Sequence, residues 1–281
     1  MRLRKKPKWR TNKSSTDSTP TDLRAPGWSR IVLELRAPFE FAASFAAAPW
    51  LMTAPRGDGH TVIVYPGFMG SDISTAPMRR LLKSLGHDVH GWGLGRNTGA
   101  KQEVMDQALQ RNHELAQKSG RSVSLVGWSL GGVYALEVAK LAPHEVPQVV
   151  TLGSPFVVPT SGLAGEAGEA TNAKRLYQFV ARRQQHMKPD RDATRQAPPV
   201  PTTSIYSRSD GIVAWQCSVQ EKHEGAQTES IEVTASHAGL GVNPTALYAL
   251  ADRLAEAPGQ WRPFERSGLR KWWFPAMTAA T

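Results

Sequence analysis

The chain of 281 residues contains a single cysteine, Cys217. A lone thiol excludes an intramolecular disulfide and a cysteine-clustered zinc site, and it agrees with a reducing compartment such as the cytoplasm without requiring one. Long apolar runs are lacking as well. The longest uncharged stretch of the apolar N-terminal part, Phe41 to Pro55, has 15 residues and contains Pro49, whereas a spanning helix needs about 20 apolar residues. That apolar part begins only at Ile31, too far from the basic start for a secretory signal. No internal repeat is visible.

Acidic residues are missing from the start of the chain. Met1 to Lys13 carries seven cations and no acid, within a formal net charge of +10 for the whole sequence. The basicity therefore belongs mainly to a tail. A Ser-, Thr- and Pro-rich stretch follows with little to bury, so residues 1–30 are expected to form a disordered arm. No nucleic-acid-binding motif accompanies the arm, so nucleic acid is not expected as a partner. Peripheral contact with an anionic membrane is a better match for such a cluster. Residues 31–58 are expected to form an apolar helical segment packed on the domain, with contact to a membrane as the alternative. The sequence does not set the oligomeric state.

From Gly59 onward, short β-rich runs alternate with longer segments of helical period. "HTVIVYPGF", "HDVHGWGLG", "RSVSLVG", "VPQVVTLGSP", "PTTSIYSRSDG" and "SIEVTASHAG" read as six strands. "ISTAPMRRLLKSLGH", "KQEVMDQALQRNHELAQKSG", "LGGVYALEVAKLAP" and "PTALYALADRLAEAP" read as helices. Such alternation implies an α/β fold with a mostly parallel, doubly wound sheet of about six strands. In open sheets of this kind the reactive groups gather at the carboxyl ends of the strands.

At one such end stands "GWSLG", with Ser129 on the turn between the third strand and its helix. A nucleophile at the tip of so tight a turn needs small neighbours two residues away on either side. The turn also aims the helix N-terminus at the hydroxyl, so the Leu130 N–H faces any negative charge that develops there. A glycine-rich turn that merely connects strand to helix, or cradles a phosphate, is the plainer alternative.

The other strand ends arbitrate. A serine hydroxyl needs a base, and the base an orienting carboxylate. His237, in "TASHAGLGVNP", is the histidine that lies beyond a strand and downstream of Ser129. His223 reads as solvated and His144 as a helix-end residue, while His60, His87, His90 and His113 precede the serine. Asp210, in "SIYSRSDGIVAW", follows the fifth strand; Asp190 and Asp192 lie in a Pro-rich loop and Asp252 in the last helix. The order Ser129, Asp210, His237 is that of nucleophile, acid and base on this architecture. After the first strand, "YPGFMGSD" places Phe68 so that its N–H can join that of Leu130 around an oxyanion. Trp92, Trp128 and Trp215 fall at or near strand ends and are candidate walls of an apolar substrate pocket.

Together "PGF", "GWSLGG", "SDGIV" and "SHAGL" resemble the α/β-hydrolase superfamily over roughly Gly59 to Ala257. The closest likeness is to bacterial serine lipases and esterases, including compact members that lack the first two antiparallel strands. One departure is Pro66, which stands where the usual His-Gly pair has its histidine. The resemblance implies a cap or lid formed by the long segment between the fourth and fifth strands, residues 156–200, within a hydrolase domain of residues 59–281. The expected activity is hydrolysis of carboxylic esters, with apolar acyl esters as substrates and no metal or organic cofactor. Acyl transfer and thioester hydrolysis would use the same residues. A ligand-binding or scaffold protein is the alternative of another class.

Overall fold

The computed structural model describes residues 25–99, 101–156, 171–172, 196–220 and 225–275. Most of the expected arm (1–30) and of the expected cap (156–200) lies outside the described residues.

The strands are β1 (Thr61–Tyr65), β2 (Asp88–Gly91), β3 (Ser124–Trp128), β4 (Val149–Leu152), β5 (Thr202–Tyr206) and β6 (Thr228–Glu232). They form one sheet in the order β2-β1-β3-β4-β5-β6, and every pairing is parallel. The helices are α1 (Trp28–Leu33), α2 (Ala37–Ala46), α3 (Ala48–Leu51), α4 (Ala76–Ser84), α5 (Gln102–Ser119), α6 (Leu130–Leu141) and α7 (Pro244–Leu254), with a 3₁₀ turn (Glu34–Arg36) between α1 and α2.

Side chains alternate across the sheet as the pleat requires. Val62, Val64, Val126 and Ile205 point into one core, which also holds Met78 and Leu82 of α4 and Leu247 and Leu250 of α7. Ile63, Tyr65, Leu125 and Val149 point into the other, against Met105 and Leu115 of α5 and Val133 and Leu136 of α6. Both faces are covered, which is why the central strands read as near-continuous apolar runs rather than as alternating ones. The chain runs outward from β1 to β2 and then returns to lay β3 on the other side of β1. The turns that follow β1 and β3 consequently meet at the point where the strand order reverses, the usual place for a site in an open parallel sheet.

The N-terminal segment makes its contacts unevenly. Leu51 and Ala54 enter the core, and Trp50 stacks on Tyr248 of α7 with ring centroids 4.6 Å apart. Upstream, Glu40 is buried whereas Trp28, Val32, Leu35 and Phe39 are exposed. These four recur at helical spacing and mark one outward stripe. Between Trp28 and Glu40 the segment turns its acids toward the protein and these four hydrophobic residues away from it.

Candidate active site

Ser129 sits between β3 and α6 with φ 53° and ψ −123°. This is a backbone state that non-glycine residues adopt only where the surroundings enforce it. The surroundings are tight. A Cβ on Gly127 would run into Gly132 of α6, and one on Gly131 into the carbonyl of Tyr65 on β1, so both outer positions of "GWSLG" must lack side chains. Ser129 N–H donates to Leu152 O of β4 at 2.8 Å, which anchors the elbow to the sheet. Leu130 opens α6, where a first-turn N–H has no acceptor within its own helix.

His237 Nε2 lies 2.9 Å from Ser129 Oγ, and its Nδ1 lies 2.7 Å from Asp210 Oδ2. Both His237 and Asp210 are buried. The second carboxylate oxygen of Asp210 accepts the N–H groups of Ile212 and Val213, each at 2.8 Å, so one oxygen is fixed by its own loop and the other faces the imidazole. Gly153, just after β4, lies against this pair. With φ 56° it adopts a left-handed backbone, and a Cβ there would come 3.3 Å from both Asp210 Oδ2 and His237 Nδ1. Burial alone would lower the pKa of His237, but the charge and hydrogen bond of Asp210, helped by Glu34, outweigh it and hold the pKa above its ordinary value. The surroundings thus favour the protonated imidazolium over the neutral ring.

The turn after β1 completes the arrangement. Gly67 faces Ser129 closely enough that a Cβ on it would stand 3.2 Å from the serine Cβ. The next residue, Phe68, packs against the α5/α6 side of the core. The loop of the buried Asn97 clamps this turn. Its Nδ2 donates to Pro66 O at 2.8 Å, its carbonyl accepts Met69 N–H at 2.7 Å, and its N–H reaches Gly70 O at 2.8 Å.

Of the three tryptophans expected to line a pocket, Trp128 contacts this cluster through an indole N–H bond to the His237 carbonyl. Trp92 requires correction. It is buried in the α5/α6 core, donates to Gly95 O at 2.9 Å and sets its edge on Tyr134, because β2 is an edge strand whose following turn folds back over that core. Trp215 stacks on Tyr206 beneath the Arg208 guanidinium, 4.2 Å from its ring centre.

A second serine–histidine–aspartate chain stands at the opposite end of the sheet. Ser124 Oγ lies 3.0 Å from His60 Nε2, and His60 Nδ1 lies 2.8 Å from Asp58 Oδ1. Ser124 opens β3 and has no exposure to solvent.

Several residues around the site escaped the sequence reading, namely Glu34 and Glu40, whose contacts are described below, and Asn97. The available signal was three charged residues, Glu34, Arg36 and Glu40, within an otherwise apolar run.

Residues 67–247, more than half of the chain, match the family described as Uncharacterised protein family (UPF0227). The chain belongs to that family. A pimeloyl-[acyl-carrier protein] methyl ester esterase of Citrobacter koseri is 30% identical over 106 residues, covering 37% of this chain and 40% of that protein. The matched part thus spans well under two thirds of that curated relative. Among solved structures, lipase B of Aspergillus fumigatus superposes with a TM-score of 0.53 at 18% identity, over 73% of this chain and 55% of the lipase. The pyrethroid hydrolase PytH superposes with a TM-score of 0.50 at 18% identity, over 72% of this chain and 99% of PytH. The six-stranded parallel sheet with helices on both faces is the α/β-hydrolase fold.

Proposed function

We propose that this UPF0227 protein is a serine hydrolase of carboxylic esters that works through an acyl-enzyme, with apolar acyl esters as its substrates. The observation that carries this reading is the continuous hydrogen-bond chain from Ser129 Oγ through both nitrogens of His237 to Asp210 Oδ2. In this reading His237 Nε2 takes the serine proton as Ser129 Oγ adds to the ester carbonyl. The oxyanion forms beside Leu130 N–H and Phe68 N–H. His237 returns the proton to the departing alkoxide, and water, activated by the same imidazole, then releases the acid and restores the serine. The partial likeness to a methyl ester esterase supports an ester rather than an amide as substrate. Acyl transfer or thioester hydrolysis would employ the same groups with another acceptor or leaving group.

Labelling of Ser129 by a fluorophosphonate, followed by turnover of p-nitrophenyl esters of increasing acyl length, tests the reading. A protein that neither labels nor turns over any member of the series would overturn it.

The place of action proposed is an anionic membrane surface. Among the described residues no helix is long and apolar enough to cross a membrane. The outward stripe of Trp28, Val32, Leu35 and Phe39 follows closely on the seven cations of Met1 to Lys13. Exposed apolar side chains and clustered positive charge are the two features that hold a protein to the surface of an anionic bilayer.

A further inference from the structure

We infer that Glu34 is a positioning residue for the hydrolase reaction proposed above, a carboxylate lent by the N-terminal segment that locks the acid loop and the base loop to each other. The inference rests on that functional reading and extends it to a residue outside the sheet and its crossover helices.

Glu34 Oε1 accepts two backbone N–H groups, that of Gly211 and that of His237, each at 2.8 Å. Its Oε2 accepts the N–H of Ala238 at 3.0 Å. Gly211 is the residue next to Asp210, so one oxygen atom bridges the backbones that carry the two relay side chains. Hydrogen bonds from amides to a charged carboxylate are about twice as strong as neutral ones. Three of them converging on one side chain leave the loops little freedom to separate.

The neighbours of Glu34 reinforce the same junction. Arg36 Nη2 donates to Ser209 Oγ at 2.6 Å on the acid loop, and Arg36 Nε pairs with Glu40 at 2.9 Å. Glu40 in turn accepts the Ser236 N–H at 2.9 Å and the Ser236 hydroxyl at 2.6 Å, just ahead of His237. Gly211 admits the helix closely, since a Cβ there would meet the Arg30 carbonyl. The loops leave the ends of β5 and β6, at one side of the sheet. The N-terminal segment supplies the brace across them.

The placement has a chemical as well as a mechanical effect. The charged groups that raise the pKa of the His237 ring are Asp210 from the acid loop and Glu34 from the N-terminal turn. Arg36 and Glu40, which also touch these loops, are paired with each other. A negative charge at Glu34 favours the imidazolium, so its removal moves the titration of the ring toward lower pH.

The test compares the full-length protein with Glu34→Gln and Glu34→Asp. The readouts are kcat and KM for a short-chain p-nitrophenyl ester across pH, and the protonation midpoint of His237 followed by NMR of its ring. Glu34→Gln should lower kcat by roughly tenfold or more with KM within about twofold, because misplacing a catalytic group by a fraction of an ångström is costly. It should also move the His237 midpoint downward, which a purely structural brace would not do. Glu34→Asp keeps the charge but falls short of the loops; it should leave the midpoint in place and still lose kcat, and it carries the test where Glu34→Gln does not fold. Wild-type kcat together with an unmoved midpoint in the folded variants would overturn the inference. A wild-type protein that neither labels with fluorophosphonate nor turns over ester would instead sink the functional reading, and the NMR midpoint would still decide whether Glu34 acts on His237.

Discussion

The indole N–H of Trp128 donates to the backbone carbonyl of His237 at 3.1 Å. The residue before the proposed nucleophile therefore holds the backbone of the proposed base, and the indole ring lies close to Gly241, where an added Cβ would stand 3.3 Å from it. Trp128→Phe keeps an aromatic ring against Gly241 but leaves the carbonyl without its donor. A lost hydrogen bond of about 1 kcal/mol, felt at the base, should reduce kcat by roughly three- to tenfold while the midpoint of thermal unfolding moves by only a few degrees. Steady-state kinetics on a soluble ester beside a melting curve would check this; unchanged kcat would show that the His237 loop does not depend on the tie.

The raised pKa of His237 sets a pH profile. The imidazole must be neutral to accept the serine proton, so the acidic limb of kcat/KM should lie above the ordinary histidine value of 6.5. In Asp210→Asn the main opposing charge is gone and burial dominates, so the limb should move to lower pH while the rate falls by orders of magnitude. An Asp210→Asn variant that kept near-normal rates, with loss appearing instead at Asp190 or Asp192, would show that the acid has been misassigned.

How much of this was legible in the sequence depended on how local each signal was. The six strands announced themselves through apolar runs whose side chains fill the two cores, and Ser129 through a five-residue turn whose glycines abut the following helix and the neighbouring strand β1. Asp210 and His237 drew notice because each stands a few residues beyond the end of a strand, β5 and β6 respectively. The role of Glu34 could not be foreseen, since its partner His237 lies 203 positions further along the chain. An apolar segment is ordinarily assumed to bury its hydrophobic side, yet here Leu35 and Phe39 face outward while Glu40 faces in. Trp92 misled for a related reason: an aromatic residue after a strand looks the same in sequence whether its strand is central or at the edge.

His87 predicts a loss of stability in acid. It is buried, neither ring nitrogen has a hydrogen-bond partner among the described residues, and burial, followed by the neighbouring His60, pushes its pKa down to about 4. The unfolded chain takes up this proton near pH 6.5 while the folded protein resists it until about pH 4, so stability falls as pH drops through that window. The full effect is of order 3 kcal/mol. Denaturant unfolding at pH 7.5 and pH 4.5 should show the decline in the wild type and a shallower one in His87→Leu, and equal slopes would refute the role of His87.

The basic arm can be tested apart from the chemistry. Each cation near an anionic bilayer contributes about 1 kcal/mol, so the seven cations of Met1 to Lys13 should bring the protein down with anionic liposomes at low salt and release it as salt rises. Neutral liposomes should retain much less. Deleting Met1 to Lys13 should abolish most of the binding and spare turnover of a soluble short-chain ester, and Leu35→Ser with Phe39→Ser should weaken what remains at high salt. Equal sedimentation of intact and truncated protein at low salt would leave the arm without this role.

The relay of Asp58, His60 and Ser124 at the far end of the sheet gives the molecule a built-in decoy. Its distances match those of an enzyme's triad, yet Ser124 begins a strand and is sealed from solvent. Three side chains in hydrogen-bonding order are therefore an ordinary way to satisfy a buried hydroxyl. What sets Ser129 apart is the contorted backbone that thrusts its oxygen out of the sheet, and a fluorophosphonate should mark that serine and pass over the other.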